Sequence, residues 1–239
     1  DEYGRAFRIA TAQWREFARK RTQTNVNVVT RAFVTEFLGD ALGYDVSAAA
    51  GTPLESPFLF TREAEGQRIP AGPLLVVVSP HVRKLDEIDP RFSGNGLGPR
   101  RRSAGQFVQE YLNSRENFRW AIATNGLVLR LLRDNASLTR PCFLEFDLER
   151  ILEEERYPDF AFLWRMLHHS RAVAPADAPG ACVWEQLRNE GGEQGMRVRD
   201  ALRDGVANTL IALGCGFLQH RANDALRADL DSGTLTHDA

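Results

Sequence analysis

A continuous apolar run, Leu74-Leu75-Val76-Val77-Val78, constrains the fold of this 239-residue chain more than any other feature. β-Branched residues favour strands, and a run without polar alternation is typical of a strand buried on both faces. Such a strand needs a sheet with helices packed on both sides. We therefore expect an α/β (α+β) fold, in which a mixed sheet is flanked by helices and followed by a helical region.

Hydrophobic periodicity places the other elements around this strand. We expect helices at about 4–21, 28–42 and 104–114, with Gly43 ending the second. Short strands are expected at 58–60 and 144–148, and Asn125-Gly126 predicts a β-hairpin with a tight primed turn. Segments 46–57 and 89–104 are predicted to be loops. Further helices are expected near 160–167, 183–213 (with a break at Gly191-Gly192) and 221–231.

These elements suggest three regions along the chain. Residues 1–24 form an amino-terminal helix, residues 25–150 an α/β core and residues 151–239 a helical connector with a linker at 172–181. The length suits one large domain with an extension. Because Asp1 is no initiator and the last residues give no clear stop, we expect a fragment of a longer protein.

Composition excludes several classes of protein. The net charge is −2, so nucleic-acid binding would depend on a local basic patch. Of the 30 basic residues, only Lys20 and Lys84 are lysine. The three distant cysteines form no metal or redox motif, and no segment is typical of a signal peptide or membrane span. We expect a cytoplasmic protein.

The order helix, strand, turn, buried strand, helix, hairpin resembles that of the PD-(D/E)xK nucleases. Active members hold a divalent cation with carboxylates on adjacent strands and use a lysine to neutralise developing charge. At the matching positions this chain has Pro70-Ala71 and Val78-Ser79-Pro80, and no carboxylate occurs between Glu65 and Asp86. We therefore expect no catalytic residue and no metal ligand, unless Glu36, Glu55 and Asp86 form a displaced site.

A second resemblance covers most of residues 25–235. The segments that carry it are Phe107-Val-Gln-Glu-Tyr-Leu-Asn113, Trp120-Ala-Ile-Ala-Thr-Asn-Gly126, Leu129-Arg-Leu-Leu-Arg133, Phe143-Leu-Glu-Phe-Asp-Leu148, Arg197-Val-Arg-Asp-Ala-Leu-Arg-Asp-Gly-Val206 and Leu213-Gly-Cys-Gly-Phe-Leu218. Together they resemble the amino-terminal region of type IIG-like restriction–modification DNA adenine methyltransferases, including those of phage-defence systems such as DISARM.

This resemblance implies a bacterial parent protein whose S-adenosylmethionine-binding methyltransferase follows the present residues. The chain has no Asn-Pro-Pro-Tyr or Asp-Pro-Pro-Tyr loop to hold a flipped adenine. Gly94-Asn-Gly-Leu-Gly98 has no strand directly before it, so we interpret it as a flexible loop rather than a cofactor site. We expect no cofactor in this chain.

Candidate DNA-binding residues cluster around the degenerate nuclease site. Residues 81–102 carry six basic and three acidic side chains, and such a loop is suited to phosphate contacts, although a solvated loop has the same composition. The resemblance to nucleases adds polar residues of the next helix and the hairpin. The full predicted set is Arg83, Lys84, Arg100, Arg101, Arg102, Gln109, Tyr111 and Asn125. Tyr111 also suits a core position. His168-His169 is interpreted as packing, because adjacent helical positions point about 100° apart.

Three functions remain open at this stage. The first is a non-catalytic domain that positions double-stranded DNA or a partner for the methyltransferase of the parent protein, with helicase-type defence subunits as further partners. The second is an active metal-dependent endonuclease with the displaced carboxylate site. The third is a structural module whose helices after residue 150 dock onto the methyltransferase.

Overall fold

The computed structural model describes residues 2–22, 25–44, 47–48, 58–59, 61–64, 67–70, 74–92, 101–114, 119–134, 142–172 and 181–234. The helices are α1 (Glu2–Lys20), α2 (Val26–Glu36), α3 (Ala104–Asn113), α4 (Leu148–Glu153), α5 (Tyr157–Leu167), α6 (His169–Ala172), α7 (Val183–Gln219) and α8 (Asp224–Asp231). A π-helical turn, Phe37–Ala41, continues α2. Short 3₁₀ turns lie at Pro90–Phe92 and Arg221–Asn223.

The strands are β1 (Ser47–Ala48), β2 (Phe58–Leu59), β3 (Thr61–Ala64), β4 (Gln67–Pro70), β5 (Leu75–Val78), β6 (Ile88–Asp89), β7 (Arg102–Ser103), β8 (Trp120–Thr124), β9 (Val128–Arg133) and β10 (Phe143–Asp147). The main sheet has the order β10-β9-β8-β5. β5 and β8 are parallel and joined through α3, whereas β8, β9 and β10 pair antiparallel. The predicted mixed sheet flanked by helices is therefore confirmed.

Alternate residues of β5 enter two different hydrophobic cores. Val76 packs into a core that α1, α2, α4 and α5 share with one face of the sheet. Leu75 and Val77 pack into a second core on the opposite face, which is built largely by α3. β8 is divided in the same way, because Ile122 joins the first core while its neighbours join the second. This arrangement explains why Leu74–Val78 shows no polar alternation.

α1 is tied to the helices that follow the sheet. The indole Nε1 of Trp14 donates to Glu153 Oε2 at 2.6 Å, and Arg21 Nη1 lies 2.9 Å from Glu149 Oε1. On the same side, Trp164 Nε1 donates to the carbonyl of Ala41 at 3.1 Å. These contacts link segments more than 100 residues apart, so α1, α4 and α5 belong to one packed layer.

Several local predictions are confirmed and others are corrected. Gly43 adopts φ +76° after the π-helical turn, as expected for a helix end. The 46–57 segment is not wholly loop, because Ser47–Ala48 pairs with β2. The hairpin is present, but its turn is not the primed type. Three residues separate β8 from β9, and among them only Gly126 has a positive φ, whereas the primed turn typical of Asn-Gly needs two.

Two predictions about the later helices are also corrected. α7 is continuous through Gly191-Gly192, so the expected break is absent. His168 and His169 do not share a helix, because His168 has ψ 139° and ends α5 while His169 begins α6. Their ring centroids are 4.3 Å apart, and the His168 ring also lies 4.3 Å from that of Trp164. Packing remains the correct interpretation of the pair, but the angular argument for it was wrong.

The chain divides into two compact units, Asp1–Gln186 and Leu187–Ala239. The first contains the sheet, α1 to α6 and the first turn of α7. That first turn is anchored by Glu185, which is 6% exposed and accepts from Arg133 Nη2 at 2.6 Å and Trp120 Nε1 at 3.1 Å. The sequence had placed a boundary near residue 150. No helix in the described ranges is long and apolar enough to span a bilayer.

Removal of a core side chain tests the second core. Phe107 is fully buried between α3 and the sheet. Phe107→Ala is expected to lower the free energy of unfolding by about 3–5 kcal/mol, because transfer and cavity terms add. Phe162→Ala, at a position 54% exposed, is the matched control and should cost less than about 1 kcal/mol. Urea denaturation measures both, and equal losses would contradict this packing.

The adjacent histidines His168 and His169 predict a pH dependence of stability. Burial, together with the charges of His169 and Arg171, lowers the pKa of His168 to about 4. The folded state therefore disfavours protonation, and the unfolding free energy should fall as the pH drops from about 6.5 towards 4. His168→Gln should make this fall shallower in thermal denaturation across that range. His220→Gln, at an exposed site, should leave it unchanged.

Candidate nucleic-acid interface

The carboxyl ends of β5 and β8 lie side by side and form one edge of the sheet. The amide of Ser79, the first residue after β5, donates to the carbonyl of Thr124 at 2.8 Å. Residues 79–103 then connect β5 to the beginning of α3. We call the described parts of this connection, 79–92 and 101–103, the edge loop. In open α/β sheets, ligands bind beyond the carboxyl ends of the strands.

Asn125 fastens the edge loop to the hairpin. Its Nδ2 donates to the carbonyl of Arg83 at 2.8 Å, while its Oδ1 accepts from the amides of Leu127 at 3.0 Å and Val128 at 2.8 Å. The residue is only 5% exposed. The structure thus brings two predicted residues together, Arg83 and Asn125, and uses the amide side chain of Asn125 to hold the loop.

The other end of the edge loop is held at the start of α3. The amide of Gly105 donates to the carbonyl of Leu85 at 3.0 Å, and β6 pairs with β7 through Asp89 and Arg102. Arg102 is 2% exposed, and its Nε lies 2.5 Å from Glu110 Oε2. This guanidinium therefore stabilises the base of the loop instead of facing solvent.

The remaining predicted cations differ in whether an acidic side chain pairs with them. Arg83 Nη1 is bound to Glu87 Oε1 at 2.7 Å. Lys84 and Arg101 are exposed, and neither forms an ion pair with any residue of the described ranges. Arg100 lies outside the described residues, as does Gly94–Gly98. Two adjacent parts of the edge loop thus each present one free positive charge.

Gln109 and Tyr111 do not join this group. Gln109 Nε2 donates at 3.0 Å to the carbonyl of Arg133, which pairs with Trp120 at the amino end of β8. Asn125 follows the carboxyl end of that strand, so roughly 13 Å of strand separates the two positions. Tyr111 packs beside Phe107 against the second core, with ring centroids 6.1 Å apart. Both residues lie on the half of α3 away from the edge loop.

Sequence analysis missed several polar residues at the carboxyl edge. Thr30 Oγ1 lies 2.9 Å from His81 Nδ1 and accepts from the His81 amide at 3.1 Å. Burial, and then the charge of nearby Arg21, lowers the pKa of His81. Arg91 binds Asp89 and also donates to Asn27 Oδ1 at 3.0 Å. No sequence pattern indicates the contacts of His81 with Thr30 and of Arg91 with Asn27, because they join residues 51 and 64 positions apart.

The displaced nuclease site gains no support from the described carboxylates. Asp86 receives two hydrogen bonds from Arg130, at 2.7 and 2.8 Å, and these lower the pKa of its carboxyl. Glu36 is exposed on α2, and Glu55 lies outside the described residues. Within the described ranges, no group of three or more His, Cys, Asp or Glu side chains is placed to hold a metal ion.

The contacts of Asn125 predict a graded loss of stability. Asn125→Ala removes two acceptor bonds and one donor bond at a buried position, so we expect the unfolding free energy to fall by about 2–3 kcal/mol. Asn125→Ser keeps a short acceptor oxygen for the hairpin amides and adds no charge, so it should cost less. Chemical denaturation of both variants measures the difference. A Ser variant as unstable as the Ala variant would contradict the acceptor role.

No protein-family model, curated protein or solved structure matches the chain.

Proposed function

We propose that the chain is a non-catalytic domain that positions double-stranded DNA along the carboxyl edge of its sheet. The observation that carries this proposal is that Lys84 and Arg101 are exposed and form no ion pair within the described ranges, on a loop that hydrogen bonds attach to three elements. Cationic side chains that contact phosphates release counterions, and this release supplies most of the affinity for DNA irrespective of sequence.

The charges within the edge loop leave a local surplus of positive charge. Each described acid of the loop already has a cationic partner: Asp86 binds Arg130, Glu87 binds Arg83 and Asp89 binds Arg91. Arg130 belongs to β9, so an arginine from outside the loop neutralises one of its acids. Among the described residues, Lys84 and Arg101 are thereby left without an acidic partner, although the whole chain has a net charge of −2.

The way the loop is held suits positioning. Its anchors are Ser79 on the strand end, Asn125 on the hairpin and Gly105 on α3. Because three separate elements hold the loop, little conformational freedom remains to be lost when phosphates bind. Cations carried on a held backbone set the register of a duplex without reading its bases.

In this proposal, chemistry belongs to other parts of the parent protein. A type IIG-like adenine methyltransferase region would bind S-adenosylmethionine and modify the DNA, and helicase-type defence subunits are further proposed partners. The edge loop would hold the duplex for that region. Asp86, which two hydrogen bonds tie to Arg130, would serve the structure of the loop rather than hold a metal ion.

DNA binding measured across a salt series tests this proposal. Fluorescence anisotropy with a labelled duplex should give an affinity that falls steeply with salt. The Lys84→Ala/Arg101→Ala double variant should bind more weakly, with the slope of log K against log salt reduced by about 2. Arg102 is left unchanged, because removal of this buried guanidinium would break its ion pair with Glu110 and disturb the fold.

A control with the same change of net charge separates a local contact from a general electrostatic effect. Arg5→Ala/Arg8→Ala removes two exposed arginines from α1 and should leave both affinity and salt slope near those of the wild type. Equal weakening by the two double variants would contradict a site at the edge loop. If the wild type shows no binding at low salt, the DNA-positioning function is wrong and the protein-docking alternative is favoured.

A further inference from the structure

The second unit carries a helical face that is unusual for a solvated surface. From Gly205 to Gln219, α7 contains no charged residue. Yet Leu210, Ile211, Leu213 and Phe217 in this segment are 60–66% exposed. A helix without charges around its circumference is typical of a buried position. This part of α7 therefore has the composition of an interface.

Apolar side chains on one face of this helix are spaced for packing against another helix. The stripe residues recur at intervals of three or four positions, which places them on one face. They are Val198, Leu202, Val206, Leu210, Leu213 and Phe217, each between 55% and 66% exposed. The stripe covers about 28 Å of helix. We call it the α7 stripe.

We propose that the α7 stripe is the interface of a homodimer, in which α7 packs antiparallel on α7 of a second copy. In this arrangement Val198 faces Phe217 of the other copy, and Leu202 faces Leu213. A small side chain thus meets a large one at each end, and two leucines meet between them. Val206 and Leu210 lie next to the two-fold axis. The stripe is thus complementary to a second copy of itself that runs in the opposite direction, as an isologous interface requires.

The charges near the stripe favour the antiparallel orientation. Arg199 and Arg203 flank its amino-terminal half. In a parallel pair, each arginine would lie beside the same arginine of the other copy, and the like charges would repel. In the antiparallel pair Arg199 lies beside Gly216 of the other helix, near the carbonyl end of the helix dipole. Around Gly205 and Gly216 there is open space within 4 Å of where a Cβ would stand. Two backbones can therefore approach closely at these glycines.

The exposed area is sufficient for a second copy. Six stripe side chains at these exposures leave on the order of 600 Å² per copy, so a dimer would cover roughly 1,200 Å² in total, the lower end of the standard class of specific interfaces. The proposal does not depend on DNA binding by the edge loop, which lies in the other unit.

The mass of the full chain in solution tests the proposal. Size-exclusion chromatography with light scattering, from about 1 to about 100 μM chain, should show a shift from monomer to dimer. Leu202→Glu/Leu213→Glu should remain monomeric throughout. Ile211→Glu, at an equally exposed position on the opposite side of α7, should dimerise like the wild type. Circular dichroism and the thermal transition confirm that each variant is folded.

Cysteine cross-linking tests the orientation. In a Cys142→Ser/Cys215→Ser background, Leu202→Cys/Leu213→Cys should oxidise to a covalent dimer. Leu202→Cys alone should not, because two copies of position 202 are roughly 16 Å apart along antiparallel helices. A wild type that stays monomeric at about 100 μM would overturn the proposal. So would equal loss of dimer in the Ile211→Glu variant, and efficient cross-linking of the single variant would overturn the antiparallel order.

Discussion

Burial of the central strands on both faces is the constraint on which the rest of this structure depends. β5 sends Val76 to the layer of α1, α2, α4 and α5, and Leu75 and Val77 to α3. One layer of helices cannot bury both faces of the sheet, so the chain must place helices on both sides of it. α3 covers the second face by crossing from β5 to the parallel strand β8. That crossover leaves two carboxyl strand ends side by side, and the edge loop begins there.

The edge loop shows how a buried framework organises a charged surface. Its cations have very different environments, although they are close in sequence. Arg102 is buried against Glu110, Arg83 is paired with Glu87, and Lys84 and Arg101 are exposed without ion pairs among the described residues. A phosphate binds most readily to cations that do not already have an acidic partner. The proposed DNA contact therefore depends on which cations have such partners more than on the number of basic residues.

The structure brings some of the predicted site residues together and places others apart. Arg83 and Asn125 meet at 2.8 Å, which was not foreseen as a direct contact. Gln109 and Tyr111 lie towards the other edge of the sheet, because α3 runs back along it from the edge loop. A helix of ten residues carries its two ends about 15 Å apart, so membership of one helix did not imply membership of one site. His81 and Thr30 were missed because their contact crosses the fold.

The sequence by itself determined the type of nearly every main element. Apolar runs and helical periodicity indicate element type, because the period at which side chains share a face is a local property of a helix or strand. It also determined the charge-free half of α7, since that is a property of composition. Only the tertiary structure decided which of the described cations have acidic partners, that Arg130 pairs with Asp86, that the rings of His168 and His169 are in contact, and that the first unit extends to Gln186. Each of these depends on pairing between distant segments, and such pairing is set by packing rather than by local sequence.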